Sequence, residues 1–114
     1  MKAELESWLG ALTPFPGLLA CGLRPANQPG ITRLFAEGWN AQAADNAWRC
    51  AADVFRVLRA HRLPSQRLRW TYARAELHCA RRDDDVVFAV FVDASSLAQS
   101  LPEVERLFSE FLAL

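Results

Sequence analysis

Hydrophobic positions along the chain recur at helical spacing in some stretches and alternate or run together in others. Four residues near the N-terminus have the helical spacing: Leu5, Trp8, Leu9 and Leu12. This spacing predicts a short helix, which Pro14 ends. The apolar run 17–24, the turn-forming PANQPG at 25–30 and the alternating 31–35 then predict a β-hairpin.

The segment 40–61 has the strongest helical pattern, and Leu63-Pro64 ends it. Its apolar residues cover roughly 200° of a helical wheel, whereas a helix on one core usually shows a stripe of ~100° or somewhat more. We therefore expect this helix to have two apolar neighbours, its own sheet and a second surface. The arc consists of Ala47, Trp48, Cys50, Ala51, Ala52, Val54, Phe55 and Leu58, with Val57 at its margin.

Three strands are predicted after the long helix, at 66–73, 76–82 and 86–93. The third is apolar at every position from 86 to 92, which indicates a central strand covered on both faces. Pro102 is interpreted as the start of a C-terminal amphipathic helix.

These elements predict an α+β fold in one domain spanning residues 1–114, with the order α-β-β-α-β-β-β-α. Strands joined by short turns pair antiparallel, so we expect a five-stranded antiparallel sheet covered by helices on both faces.

Charge balances over the whole chain, with 13 basic and 13 acidic residues, but not along it. Residues 49–82 contain nine arginines and two acids, whereas 83–114 contain seven acids and one arginine. The basic segment leaves nucleic-acid binding open as an alternative function. The net charge of zero, however, gives the chain no overall attraction to nucleic acid.

The sequence also indicates the cellular location of the protein. The chain has no apolar run long enough for a membrane span and no visible signal peptide, and its three cysteines argue against a disulfide framework. We expect a cytoplasmic protein without a membrane span.

Glu76, His78 and Cys79 first suggest a ligand or nucleophile cluster. On a strand, Glu76 and His78 share one face while Cys79 lies on the other, so a Cys–His catalytic pair is not expected. Glu76 and His78 would supply only two ligands, which are too few for a zinc site. The acids at 83–85 are interpreted as residues of a turn and not as an ion site. We predict no catalytic centre, no metal and no cofactor, and therefore not an enzyme.

The stretch RLRWTYAR at 67–74 alternates arginines with large apolar residues. Arg67 and Arg69 should lie on one face of the strand and Trp70 and Tyr72 on the other. Base-stacking sheets need exposed aromatic residues with basic residues beside them, so this separation favours core packing for Trp70 and Tyr72.

Several local patterns resemble the Roadblock/LC7 family. PGLLACGLR at 16–24 is similar to its first strand, the alanine-rich 41–61 to its long second helix, and AELHCARRDDDVVFAVFVD at 75–93 to its last two strands. The resemblance implies a five-stranded antiparallel sheet with the long helix on one face and the terminal helices on the other. It also implies homodimers in which the long helices pack together and the third strands pair.

The resulting hypothesis is a non-catalytic homodimeric interaction module, which the resemblance connects with small Ras-like GTPases. The alternative is a dimeric chaperone similar to those of type III secretion, which usually place three strands before the middle helix. The predicted protein-interface residues are Trp48, Ala51, Ala52, Phe55, Arg67, Arg69, Trp70 and Tyr72.

Overall fold

Three helices and five strands follow one another in the computed structural model, which describes residues 3–114. The elements are α1 (Ala3–Ala11), β1 (Leu18–Arg24), β2 (Ile31–Leu34), α2 (Ala41–Ala60), β3 (Arg67–Thr71), β4 (Ala75–Arg81), β5 (Val87–Asp93) and α3 (Leu97–Ala113), with a 3-10 turn at Ala94–Ser96. The predicted α+β order is confirmed, with two strands before the long helix. Met1 and Lys2, the first residues of the predicted domain, lie outside the described residues.

The strands form one antiparallel sheet in the order β2-β1-β5-β4-β3. The central position predicted for the apolar run at 86–92 is confirmed, since β5 pairs with β1 on one side and β4 on the other. Alternate residues of β5 face opposite sides of the sheet, and both sides are buried.

The terminal helices α1 and α3 cover one face of the sheet. Phe88 of β5 is the centre of this layer, with its ring 4.8 Å from that of Trp8 and 5.4 Å from those of Phe108 and Phe111. Apolar burial here joins the two ends of the chain, because Trp8 belongs to α1 and the two other phenylalanines to α3.

Helix α2 covers the opposite face, as the prediction of helices on both faces requires. Trp48 and Phe55 of α2 are buried there with Phe91 of β5. Asn40 caps the helix, because its side-chain oxygen accepts a hydrogen bond from the backbone N–H of Ala43 at 3.1 Å. Among residues 3–114, no helix combines the length and apolar character that a membrane crossing requires.

The start of α3 differs from the prediction. The helix begins at Leu97, and Pro102 lies inside it rather than at its first position. The chain turns earlier because the Asp93 carboxylate accepts hydrogen bonds from the backbone N–H and the hydroxyl of Ser95, both at 2.9 Å. Pro102 lacks the N–H that would bond to the carbonyl of Ala98, and the helix continues through this single missing bond.

A glycine in β1 lets α2 approach the sheet closely. The indole of Trp48 lies directly over Gly22, and its Nε1 donates a hydrogen bond to Thr32 Oγ1 at 2.9 Å. A methyl group at Gly22 would overlap this indole and lie 2.7 Å from the carbonyl oxygen of Ile31. The position therefore requires the absence of a side chain.

We expect Gly22→Ala to lower the free energy of unfolding by about 3 kcal/mol, because neither the indole nor the β2 backbone can move without losing packing. Gly10→Ala is the matched control. Gly10 is exposed in α1 and no atom lies within 4 Å of an added methyl group, so alanine should raise stability by about 0.5 kcal/mol. Urea denaturation measures both, and equal effects would contradict the close approach.

Candidate protein-interaction surface

Strand β3 lies at an open edge of the sheet, with β4 as its neighbour on one side. The backbone N–H of Tyr72 bonds to the carbonyl of Ala75, and the carbonyl of Gln66 accepts from Arg81. Even-numbered residues therefore direct their backbone groups toward β4. In an antiparallel ladder the alternate residues point the other way, so the N–H and C=O groups of Arg67, Arg69 and Thr71 face outward.

The side chains of β3 divide between the two faces as the alternation predicts. Leu68 and Trp70 are half-buried against the cluster beneath α2. Arg67 lies on the α3 side, where its two terminal nitrogens donate to the two carboxylate oxygens of Glu105, each at 2.8 Å. Its guanidinium carbon is also 4.3 Å from the centre of the Phe108 ring. Arg67 is thus held against α3 and away from the open edge.

The apolar arc of α2 consists of a buried part and an exposed part, and the predicted interface residues of this helix belong to the buried part. Trp48, Ala51 and Phe55 are at most 2% exposed, so they form the core with the sheet and offer no surface to a partner. Ala52 is half-buried beside them. The wheel could not separate these residues from their neighbours, because both parts of the arc are apolar.

The remaining apolar residues of α2 reach the surface. Val57 is 55% exposed, Cys50 is exposed, and Val54 and Leu58 are half-buried. We call these four residues the apolar flank of α2. This flank is where the second apolar neighbour predicted from the width of the arc would pack.

Aromatic rings connect the core beneath α2 to β3. The Phe91 ring centre is 5.5 Å from that of Trp48 in α2 and 6.4 Å from that of Tyr72, which follows β3 and is 52% exposed. Helix α2 packs chiefly over β1, β2 and β5 and leaves β3 less covered. The open β3 edge and a partly uncovered apolar sheet face therefore occur together.

The predicted separation of His78 from Cys79 is present. His78 Nε2 lies 3.0 Å from Glu76 Oε1 on the α3 side, whereas Cys79 is buried in the cluster beneath α2. Burial lowers the pKa of His78, and the hydrogen bond to Glu76 acts in the opposite direction. Within residues 3–114, no three His, Cys, Asp or Glu side chains are grouped so that they could hold a metal ion.

The thiols differ in their surroundings. Burial raises the pKa of Cys21 to about 12, with Arg33 acting weakly against it, and burial also raises the pKa of Cys79. Both side chains are buried, which suits small apolar residues of the core. Cys50 is exposed on the apolar flank of α2.

Folding brings the basic and acidic segments of the sequence together. Arg59 pairs with Asp85 at 3.0 Å, and Arg82 pairs with Asp84 at 3.3 Å. The acids at 84 and 85 also form the turn before β5, since Asp84 accepts from the N–H of Val86 and Asp85 has a φ of 65°. Arg59 and Arg82 of the basic segment are therefore each paired with an acid from the acidic segment.

No known family model matches the chain, and no curated protein matches its sequence.

The buried His78 predicts a loss of stability in mild acid. Its pKa in the folded chain is below its ordinary value near 6.5. As the pH falls through that value, the unfolded chain binds a proton that the folded chain does not, so the free energy of unfolding decreases. His78→Gln should reduce this dependence between pH 7.5 and about pH 5.5. Parallel urea denaturation curves measure it, and identical pH slopes for both proteins would contradict the prediction.

Proposed function

We propose that the chain is a non-catalytic protein-interaction module that forms a homodimer through β3 and the apolar flank of α2. The observation that carries the proposal is the open β3 edge beside an uncovered apolar surface. A bare strand edge invites pairing with another strand, and exposed apolar residues next to it mark a contact site.

A second copy of the chain fits this surface because β3 can pair with itself. A two-fold axis perpendicular to the sheet would place two β3 strands antiparallel and keep each face of the sheet on the same side. The apolar flank of one α2 would then meet the same flank of its copy above a continuous ten-stranded sheet, twice the five strands of one chain.

Charge selects the register of this pairing. A two-fold axis at Arg69 would place two arginines directly opposite each other, which is destabilising. An axis at Trp70 instead places Arg69 opposite Thr71 of the copy and Leu68 opposite Tyr72 of the copy. The outward backbone groups of Arg69 and Thr71 could then bond across the axis, and apolar side chains would meet on the α2 side.

The other sheet edge is less suited to this role. Strand β2 has four residues, and α2 packs over it directly, with Trp48 bonded to Thr32. The proposed dimer therefore uses β3 alone.

The resemblance to the Roadblock/LC7 family supports both the dimer and the choice of partner. The arrangement that it implies, with the long helix on one face and the terminal helices on the other, is the arrangement of α2, α1 and α3. The partner proposed on this basis is a small Ras-like GTPase, for which the dimer acts as a regulator or platform.

We expect the chain to have a solution mass near twice 12.8 kDa at low micromolar concentration. Thr71→Pro should raise the dimer dissociation constant, because it removes an outward N–H without removing a bond to β4. Val57→Glu should raise it by about 100-fold, which corresponds to roughly 3 kcal/mol for an unpaired charge in an apolar contact. Light scattering over a dilution series measures both.

Two substitutions serve as matched controls for the dimer. Leu34→Pro changes an outward position on the opposite edge, since the neighbouring Phe35 directs its N–H toward β1. Gln42→Glu adds the same charge to an exposed position of α2 outside the apolar flank. A monomeric wild-type chain, or controls that dissociate the dimer as strongly as the variants, would contradict the proposal.

The GTPase partner is tested by pull-down with the immobilised dimer. We expect it to retain a small Ras-like GTPase from the same cell, with a difference in amount between the GDP-loaded and GTP-loaded forms, since regulation requires unequal affinity for two states. Gln42→Glu should retain it equally. If the protein has the mass of a dimer but retains neither the GDP-loaded nor the GTP-loaded form, the GTPase partner is excluded. The proposed dimer is unaffected by that result.

A further inference from the structure

A cleft of about 270 Å³ opens between α2 and one end of the sheet. Its base includes Arg24, Val87 and Arg81, which are paired in one row across β1, β5 and β4. The loop at 25–27 closes one end. Three strands, one helix and a loop therefore shape this cleft.

Positive charge dominates its lining. Five guanidinium groups line the cleft with two carboxylates, those of Asp53 and Asp85, and Arg24 is also paired with Asp45 beside it, which leaves an excess of two positive charges. The arginines come from three elements: Arg24 from β1, Arg49, Arg56 and Arg59 from α2, and Arg81 from β4. Like charges gathered in a concave site repel one another and focus a positive potential that attracts an anion.

The hydrogen-bonding capacity of these arginines is only partly used. Arg59 and Arg81 each direct Nη1 at the same oxygen, Oδ1 of Asp85, at 3.0 and 3.3 Å. Arg24 uses its Nη1 on Asp45, and Arg49 has no hydrogen bond or ion pair to a side chain within residues 3–114. Several N–H donors thus remain for an oxygen-rich ligand, and the fork of an arginine matches phosphate oxygens in pairs.

The cleft also has an apolar floor. Its accessible apolar part comes from Ala26, which is exposed, and Ala52, which is half-buried, with the buried Phe55, Val87 and Pro25 behind them. A bare inorganic ion would leave this floor unused. The volume is close to the lower end of the range for small-molecule sites, so the occupant is small.

We propose that this cleft binds a small phosphorylated compound, with the phosphate among Arg24, Arg49 and Arg81 and an apolar ring against Ala26 and Ala52. The proposal is independent of the dimer. On a helical wheel the cleft arginines of α2 lie on one side of the buried residues and the apolar flank lies on the other. A second copy on the apolar flank leaves the cleft open.

Calorimetric titration of the full chain tests the proposal with three probes: AMP, inorganic phosphate and neutral adenosine. AMP should bind more tightly than phosphate, because only AMP uses both the arginines and the apolar floor. Adenosine should bind at least tenfold more weakly than AMP, since a charge-assisted hydrogen bond contributes about 1.5–3 kcal/mol.

Arg49→Gln is the informative variant and Arg74→Gln its charge-matched control. Arg49 is exposed and has no hydrogen bond or ion pair to a side chain within residues 3–114, so its substitution should weaken AMP binding by about tenfold in a folded protein. Arg74 is exposed in the turn between β3 and β4, outside the cleft, and its substitution should leave AMP affinity within about twofold. Arg81→Gln provides a second cleft variant, with folding checked by circular dichroism.

Three results would overturn the proposal. The first is the absence of heat from both AMP and phosphate up to about 10 mM, which is weaker than any specific site of this size. The second is equal weakening by Arg49→Gln and Arg74→Gln, which would indicate a diffuse charge effect. The third is tighter binding of a hexaglutamate peptide than of AMP, which would assign the cleft to an acidic protein segment instead.

Discussion

The arrangement of the whole chain depends on a central strand that is apolar on both faces. Phe88 and Phe91 lie on opposite sides of β5, and aromatic rings surround each of them. Because neither face can be left in water, the strand requires a helical layer on each side. The terminal helices supply one layer and α2 supplies the other.

The two helical layers cover the sheet to different extents, and this difference leaves part of one apolar face exposed. Two helices cover the Phe88 side, whereas one helix crosses the Phe91 side and leaves Tyr72 half in solvent. Trp48 fixes α2 over β1 and β2 by its contact with Gly22 and its hydrogen bond to Thr32. The position of α2 toward β2 is therefore what leaves β3 uncovered at the other edge.

Local spacing predicted most of the fold because periodicity reports which side of an element is buried. The alternation in β3 and β4 correctly separated Arg67 from Trp70 and His78 from Cys79. The wheel for α2 gave the width of the apolar arc but not its orientation, so Trp48 was placed at an interface although it is fully buried. The start of α3 was also missed, because Asp93 turns the chain before the proline that suggested it.

The arginine cleft had no local signal, since its groups come from positions as distant as Arg24 and Arg81. The excess of arginines at 49–82 shows that this segment is basic, but not which of its arginines lie together in the folded chain. Ion pairs with Asp84, Asp85 and Glu105 neutralise part of it. Arg49, Arg56 and Arg59 lie on one side of α2, while the other side is apolar. One helix thus separates the arginines of the cleft from the apolar flank, so the proposed ligand and the proposed second copy would not compete for the same side of α2.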